Sequence, residues 1–473
     1  MDGIVNTVAV SLGTTDSAIR LLASLFLGFP LGFVYRTVIH AKPSHIQHFY
    51  FTFFGLAISY FNFGWELLHP LINIFSIWLL LSVAGGTVLS VGVAFMFNTG
   101  YLILGYLQNT EAIYNISWTL AQCVLTLRLT GVVMDVYDGK KGEEKLTAEQ
   151  KESALAKSPS LLELLGHTYC FCGFLVGPQY SMKRYMSFTQ GAFTDSWREG
   201  LPHSVGPATI RLFLGILYIA VFQIINIVLP TEYMLTTNFD DLSLFSKCAY
   251  ILFWGKNAIN KYIGCWMVAE ASCILIGLSY NGKDINGNVL WDGCTNMKLY
   301  QYETCTDLHH LIDSFNHNTN KWMARYVFKR LRFLGNKQLS QIMTLFYLAV
   351  WHGVHSGYYM NFFLEFLVSN SLAEFIKFSH KVRILRNIND STTLMPLVWL
   401  VKKITITFSL SYALVSFVLL SSDYYMKVYR SVYYIGHLFH LVMPVVCLLL
   451  SMLLSKPSSV NGVNTNRVDK KTS

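Results

Sequence analysis

Charged residues are scarce in this chain. Asp, Glu, Lys and Arg make up 13% of its 473 residues, against roughly a quarter in an ordinary soluble domain. Hydrophobic residues account for 53% and aromatic residues for 15%. A soluble domain of this composition would expose too much apolar surface to water. The low charge content therefore argues against a soluble protein.

Several sequence patterns are also missing. The nine cysteines show no paired CxxC spacing, which argues against a disulfide framework and against a zinc site. No repeat of about 20–50 residues is present, which argues against a solenoid. The first 16 residues lack the basic segment of a cleavable signal peptide, so the apolar run at 18–35 is expected to be an uncleaved anchor. The net charge of +9 comes without a nucleic-acid motif and suits anionic lipid head groups or a phosphate-bearing cofactor better.

Long apolar runs dominate what is present. The runs at 208–230 and 397–420 each approach the ~20 residues that a helix needs to cross a bilayer. Because a lipid-exposed backbone must satisfy its own hydrogen bonds and the runs show no alternation of period two, helices are predicted. The predicted spans lie near 18–35, 46–65, 70–83, 86–107, 117–134, 161–177, 208–230, 247–280, 338–351, 354–370, 397–420 and 432–454. The sequence thus predicts an all-α, multi-pass integral membrane bundle with about eleven crossings.

Polar residues interrupt this pattern at a few places. Arg128, Asp135 and Glu270 lie inside apolar runs, and intramembrane charges usually face a bundle interior or an aqueous cavity. They can be structural or functional. The charge-rich linker at 138–158 is predicted to be solvated and partly helical, and a second polar stretch covers 281–320.

A histidine pair lies between two apolar runs, in W-H-G-V-H-S-G-Y-Y at 351–359. A neutral imidazole, with an unperturbed pKa of about 6.5, is the natural general base at neutral pH. On a helix, His352 and His355 would share one face. A lone intramembrane histidine is more often a hydrogen-bonded core residue. The pair, flanked by Trp351 and two glycines that allow close approach of a backbone or ligand, favours a functional site.

A basic segment precedes the histidines. Residues 321–337 contain six Lys or Arg and no acid, and as a helix they would form a cationic stripe, an aromatic stripe and an apolar face. One interpretation is attraction to anionic lipid alone. The other is that the cations hold the phosphates of a nucleotide-bearing donor such as coenzyme A. The candidate donor-binding residues are Arg325, Tyr326, Lys329, Arg330 and Arg332.

These motifs resemble a known family. Asn316, in S-F-N-H-N-T-N-K-W, and His352, in W-H-G, resemble the asparagine and histidine signature of membrane-bound O-acyltransferases. Further stretches resemble the type-3 lysophosphatidylcholine acyltransferases of that family, over about residues 15–455. They are L-R-L-T-G-V-V-M-D-V-Y-D-G (127–139), F-L-V-G-P-Q-Y-S-M (174–182), W-G-K-N-A-I-N-K-Y (254–262) and F-K-R-L-R-F-L-G-N-K (328–337).

The resemblance implies one membrane domain over 17–455 with a central catalytic chamber, after an N-terminal segment at 1–16. It implies catalytic roles for His352 and Asn316, pocket positions for Trp351 and His355, and acyl transfer from acyl-CoA to the sn-2 hydroxyl of a lysophospholipid. Lysophosphatidylcholine is the first choice of acceptor, and the ethanolamine and serine analogues follow. No permanently bound cofactor and no metal are expected, and Cys170 and Cys172 are expected to be packing residues.

Three alternatives stay open. Scattered histidines suggest a di-iron oxidase, but the required histidine boxes with carboxylates are missing. A lipid transporter would explain the spans and buried charges but not the Asn and His pair beside a basic segment. An acyltransferase could also use a sterol, diacylglycerol or protein acceptor.

The chain termini and linkers carry addressing signals. Lys470 and Lys471, near the end of the 456–473 tail, match a dilysine signal for return to the endoplasmic reticulum, which requires a cytosolic tail. Asn115 and Asn389 begin glycosylation sequons that would be used only on the luminal side. The sequence therefore predicts a multi-pass protein of the endoplasmic reticulum membrane, with its oligomeric state open.

Overall fold

The structure, a computed structural model, describes residues 2–11, 13–109, 116–193 and 203–454. Within these ranges the chain is all-α, as predicted, and its one β-type contact is an isolated bridge between Lys283 and Val289. The sequon residue Asn115 and the 456–473 tail lie outside the described residues.

The α-helices are α1 (Asp2–Ser11), α2 (Asp16–Val34), α3 (Ser44–Phe63), α4 (Leu68–Ala84), α5 (Val88–Gln108), α6 (Trp118–Gly139), α7 (Ala148–Ser153), α8 (Leu161–Thr168), α9 (Met182–Thr189), α10 (Val205–Val228), α11 (Thr237–Asp240), α12 (Leu244–Leu275), α13 (Leu299–Thr304), α14 (Leu308–Ser314), α15 (His317–Tyr326), α16 (Lys337–His352), α17 (Ser356–Lys381), α18 (Arg383–Asp390), α19 (Met395–Leu419), α20 (Ser422–Ser431) and α21 (Ile435–Leu454). A π-helical turn at Tyr35–Ile39 and 3-10 turns at Gly64–Leu67, Glu143–Lys145, Thr231–Leu235 and Phe328–Leu334 complete the helical structure.

Seven helical stretches in the described ranges are long and apolar enough to cross a membrane. They are Asp16–Ile39, Ser44–Ala84, Val88–Gln108, Trp118–Gly139, Val205–Leu235, Met395–Leu419 and Ile435–Leu454. The stretch Ser44–Ala84 contains both α3 and α4, separated by a 3-10 turn. The protein is thus a multi-pass membrane protein, while the predicted number of eleven crossings is not confirmed.

Helix α6 is the buried centre of the bundle. It includes Arg128, whose side chain lies in the interior and which is only 3% exposed. Its guanidinium donates hydrogen bonds to the backbone carbonyls of residues 167, 168, 173 and 178, at 2.9–3.2 Å. Two of these carbonyls belong to the last two residues of α8, where the helical hydrogen bonds end, and the other two lie in the irregular segment that follows. Arg128 therefore replaces the backbone partners that this segment lacks.

The intramembrane charges face the interior, as predicted, since Asp135 and Glu270 are also almost fully buried. The run at 247–280, which could have held one span or two, holds one helix that ends at Leu275. One predicted span, 161–177, was wrong in detail, because the chain leaves helical structure after Thr168. Cys170 and Cys172 lie in the packed core of this second region, as expected for packing residues.

The basic segment is not one helix, which corrects the predicted amphipathic stripe. Helix α15 ends at Tyr326, and Val327 leaves helical geometry with φ −117° and ψ −69° before the 3-10 turn Phe328–Leu334. The charge-rich linker is partly helical, as predicted, because α7 and a 3-10 turn form within it. It also forms ion pairs with the basic segment.

Candidate active site

A cavity of about 750 Å³ runs through the bundle. Its walls come from helices that are far apart in sequence, including α6, α10, α12, α15, α16, α17 and α19. Apolar side chains make up about half of the lining, and amide, hydroxyl and ionisable side chains make up most of the rest. His352, Asn316, Trp351 and His355 all line it, so the structure brings these four predicted residues together in one chamber.

His352 is the last residue of α16, and its ring lies among aromatic side chains. The ring centroids of Phe417 and Phe362 are 5.0 and 5.3 Å from that of the imidazole, and Tyr358 is at 5.7 Å. No described residue forms a hydrogen bond with either ring nitrogen. The imidazole is therefore held by packing, and its nitrogens are available to a molecule in the chamber.

Two hydrogen bonds fix the backbone beside His352. The indole nitrogen of Trp351 donates to the carbonyl of Cys123 on α6 at 2.8 Å. The hydroxyl of Tyr106 on α5 donates to the carbonyl of Trp351 at 2.8 Å. The end of α16 is thus tied to two neighbouring helices.

Gly353 follows the last residue of α16 and has φ +149°, a conformation that favours glycine. A Cβ at this position would lie 2.6 Å from the Tyr358 ring. The chain turns before α17 begins, and His355 is the residue just before that helix. The two histidines therefore do not share a helix face, which corrects the interpretation based on their spacing. Both still line the chamber.

Asn316 immediately precedes α15 and adopts a left-handed conformation with φ 49° and ψ 42°. Asparagine tolerates this region better than most residues because its short side chain hydrogen-bonds locally. The side-chain oxygen Oδ1 of Asn316 accepts a hydrogen bond of 3.2 Å from Nδ2 of Asn296. Its own Nδ2 has no acceptor among the described residues. The amide can therefore donate a hydrogen bond into the chamber.

Other polar groups of the chamber were missed or only partly noticed in the sequence. Asn296 lies in the polar 281–320 stretch without a motif of its own, and Lys261 lies beside the rings of Phe222 and Tyr262. Glu365 on α17 lines the chamber without an ion-pair partner among the described residues. Periodicity gives no signal for these residues, because their importance depends on which helices meet.

The five candidate donor-binding residues are not brought to the chamber. Tyr326 is buried, and its hydroxyl donates to the carboxylate of Asp135 at 2.7 Å. Arg325 pairs with Glu152 at 2.8 Å, Arg330 pairs with Asp138 at 2.5 Å, and Lys329 pairs with Glu149. Arg332 is exposed.

Carboxylates of the charge-rich linker therefore neutralise much of the basic segment. The hydrogen bond from Lys329 lowers the pKa of Glu149 below its ordinary value. That pair is half-exposed, so its contribution to stability is small. Most cations of the basic segment are therefore paired with carboxylates and do not form a free positive surface.

In the described ranges no group of three or more His, Cys, Asp or Glu side chains is arranged to hold a metal ion. Two histidines that suggested a metal box have hydrogen-bond partners in the helix packing. His437 bonds to the Tyr412 hydroxyl at 2.7 Å, and His440 lies between the hydroxyls of Ser409 and Ser371 at 3.0 Å each. They serve as core histidines.

Comparisons with known proteins identify the family of the chain. The model of the membrane-bound O-acyltransferase family matches residues 103–411. The chain is 43% identical to lysophospholipid acyltransferase 5 of Mus musculus over 92% of its own length and 89% of the relative's. The protein of the same name from Homo sapiens is 41% identical over the same shares, and the one from Drosophila melanogaster is 37% identical over 93% and 88%. With the asparagine and histidine of the predicted signature facing one chamber, the chain belongs to the membrane-bound O-acyltransferase family.

Proposed function

We propose that the protein transfers an acyl chain from acyl-CoA to the sn-2 hydroxyl of a lysophospholipid. The observation that carries the proposal is that His352 and Asn316 line one cavity while both present unused hydrogen-bonding atoms to it. A base and a donor in one chamber within a membrane bundle suit a reaction between two lipid-like substrates. The relatives' printed name, lysophospholipid acyltransferase 5, supports this acceptor class.

The proposed chemistry needs one base and one hydrogen-bond donor. His352 accepts the proton of the lysolipid hydroxyl as its oxygen attacks the thioester carbonyl. The new C–O bond forms, the C–S bond breaks, and the departing coenzyme A thiolate takes the proton back from His352. No acyl-enzyme intermediate is needed, because the thioester is already activated and the chamber supplies proximity.

Asn316 acts in this proposal on the charge that develops at the carbonyl oxygen. Its Nδ2 donates to that oxygen, a type of contact that lowers a barrier by ~2.7–4 kcal/mol. The aromatic rings around His352 keep the imidazole neutral by excluding water, since desolvation disfavours the charged form. Trp351 and His355 complete the pocket around the reacting atoms.

The finer assignments belong to the same proposal. Lysophosphatidylcholine is the first acceptor, followed by the ethanolamine and serine analogues, and the catalytic domain spans 17–455. Acyl-CoA is a co-substrate and not a resident cofactor. Arg325, Tyr326, Lys329, Arg330 and Arg332 stay the proposed residues for binding its phosphates, outside the chamber wall. The dilysine tail would keep the enzyme in the endoplasmic reticulum membrane.

Purified wild type, His352→Ala and Asn316→Ala test this proposal. Release of the coenzyme A thiol is measured with acyl-CoA and a panel of lysolipids that differ in head group. We expect turnover in the wild type, no turnover above background in His352→Ala, and a loss of about 100-fold or more in Asn316→Ala. Near-normal turnover by folded His352→Ala would refute the assignment. Transport of lysolipid without thiol release would favour the transporter alternative.

A further inference from the structure

Asn296 contacts the loop of Asn316 at three successive residues. Its backbone carbonyl accepts from the backbone N–H of His317 at 2.9 Å. Its side-chain Oδ1 accepts from the backbone N–H of Asn318 at 3.1 Å, and its Nδ2 donates to Oδ1 of Asn316 at 3.2 Å. Asn296 is 2% exposed, and no sequence motif marked it.

These contacts determine which way both amides point. A backbone N–H can only donate, so the atom of Asn296 that faces Asn318 must be its oxygen. The nitrogen of Asn296 then faces Asn316 and can only donate. The atom of Asn316 that receives this bond must therefore be its oxygen, and its nitrogen is left toward the chamber. The orientation of the Asn316 side-chain amide thus follows from the backbone N–H of Asn318.

A buried ion pair holds Asn296 in turn. One carboxylate oxygen of Glu270 on α12 accepts the backbone N–H groups of Asn296 and Met297, at 2.8 and 2.9 Å. The other accepts from Nε of Arg211 on α10 at 2.8 Å, and Arg211 also donates to the carbonyl of Met297. Glu270 is 1% exposed. Because an unpaired buried carboxylate would be costly, the pair with Arg211 and the two N–H groups is what allows it there.

We propose that Asn296 is a positioning residue that fixes the Asn316 side chain with its N–H donor toward the reacting thioester, and that Glu270 and Arg211 anchor Asn296. This inference rests on the proposed function, because it assigns a role to the free donor of Asn316. Asn296 acts through Asn316. It therefore contributes to catalysis only while the Asn316 amide is present.

The isosteric change Asn296→Asp tests the orientation directly. The carboxylate still accepts from the backbone N–H of Asn318 but can no longer donate to Asn316. The side-chain amide of Asn316 is then expected to flip, so that its nitrogen donates to the new carboxylate. The amide oxygen of Asn316 would then point at the thioester oxygen. We expect kcat to fall at least about tenfold while KM for acyl-CoA changes less than about twofold.

A double-mutant cycle separates positioning from structural support. In the Asn316→Ala background, Asn296→Asp should change kcat by less than about twofold, since there is no amide to misdirect. An equal fold-loss in both backgrounds would overturn the inference, and so would unchanged kcat in the single variant. If Asn316→Ala itself has full activity, the proposed role of Asn316 fails first, so the two failures are distinguishable.

A neutral second variant covers the case in which the aspartate prevents folding. Asn296→Ser ends at the position of the asparagine Cγ and is too short to reach Asn316, so it frees the amide without adding charge. Its loss of kcat should be smaller than that of the aspartate and should also vanish in the Asn316→Ala background. Asn370→Asp is the matched control, because Asn370 donates to a carbonyl of its own helix at 2.9 Å and does not line the chamber. A kcat loss in Asn370→Asp equal to that in Asn296→Asp would also overturn the inference.

Discussion

The indole nitrogen of Trp351 donates a 2.8 Å hydrogen bond to the carbonyl of Cys123, and this bond joins the residue next to His352 to the buried helix α6. The Trp351 ring centroid is also 4.6 Å from that of His352. The imidazole of His352 therefore packs against a neighbour that is hydrogen-bonded to the centre of the bundle.

Replacing Trp351 with phenylalanine keeps an aromatic ring and removes the hydrogen bond to Cys123. A bond of this type contributes about 1 kcal/mol, so we expect kcat to fall about fivefold with little change in KM for either substrate. Steady-state kinetics with acyl-CoA and lysolipid measure this. Trp399→Phe is the control, because its indole donates to the carbonyl of Thr304 at 3.0 Å but does not line the chamber. A change in KM alone in Trp351→Phe would contradict the positioning role.

Replacing Gly357 with alanine should disturb the contact between α17 and α19. A Cβ at Gly357 would lie 2.1 Å from the carbonyl oxygen of Ser416, so the two helices would have to separate. We expect a lower midpoint of thermal unfolding in detergent and a loss of turnover, since α17 carries part of the chamber wall. Gly92→Ala on α5 is the control, as a Cβ there meets nothing within 4 Å, and alanine favours a helix over glycine by about 1 kcal/mol. Equal unfolding midpoints for the two variants would rule out this account.

Replacing Lys329 and Arg330 with glutamine should raise KM for acyl-CoA about fivefold and leave KM for lysolipid almost unchanged, if these cations exchange their acidic partners for phosphates. Glu149→Gln removes the competing carboxylate from Lys329 and should lower KM for acyl-CoA. Both are read from kinetics at low and high salt, because exposed charges are screened. Equal changes in KM for both substrates would indicate that the segment only attaches the protein to anionic lipid.

The ion pair between Glu149 of the charge-rich linker and Lys329 of the basic segment should also weaken at low pH. Because the hydrogen bond from Lys329 depresses the pKa of Glu149, the pair contributes stability above the unfolded-state pKa of about 4.3. That contribution is lost as pH falls through the lower pKa of the folded state. The unfolding midpoint of wild type should therefore exceed that of Glu149→Gln at neutral pH and approach it in acid. A difference that stays constant with pH would mean that this ion pair does not contribute.

The sequence predicted the all-α membrane fold, because apolar run length is a local signal. The Asn and His motifs are also local, and both residues line the chamber, while their catalytic roles stay predictions. The sequence could not predict Asn296, whose bond to Asn316 joins residues 20 positions apart. It also predicted a helix past Tyr326, since no proline or glycine interrupts 321–334. The counter-charges that pair with this segment lie more than 170 residues away, on the charge-rich linker.

The guanidinium of Arg128 has a consequence for assembly in the membrane. The carbonyls that it satisfies belong to residues 167, 168, 173 and 178, all of which follow it in the chain. Synthesis proceeds from the N-terminus, so the helix that carries the cation leaves the ribosome before the segment that needs it. The non-helical stretch thus finds its hydrogen-bond donor already made when it enters the bilayer, and a circular permutation that reversed this order would deprive it of that partner during insertion.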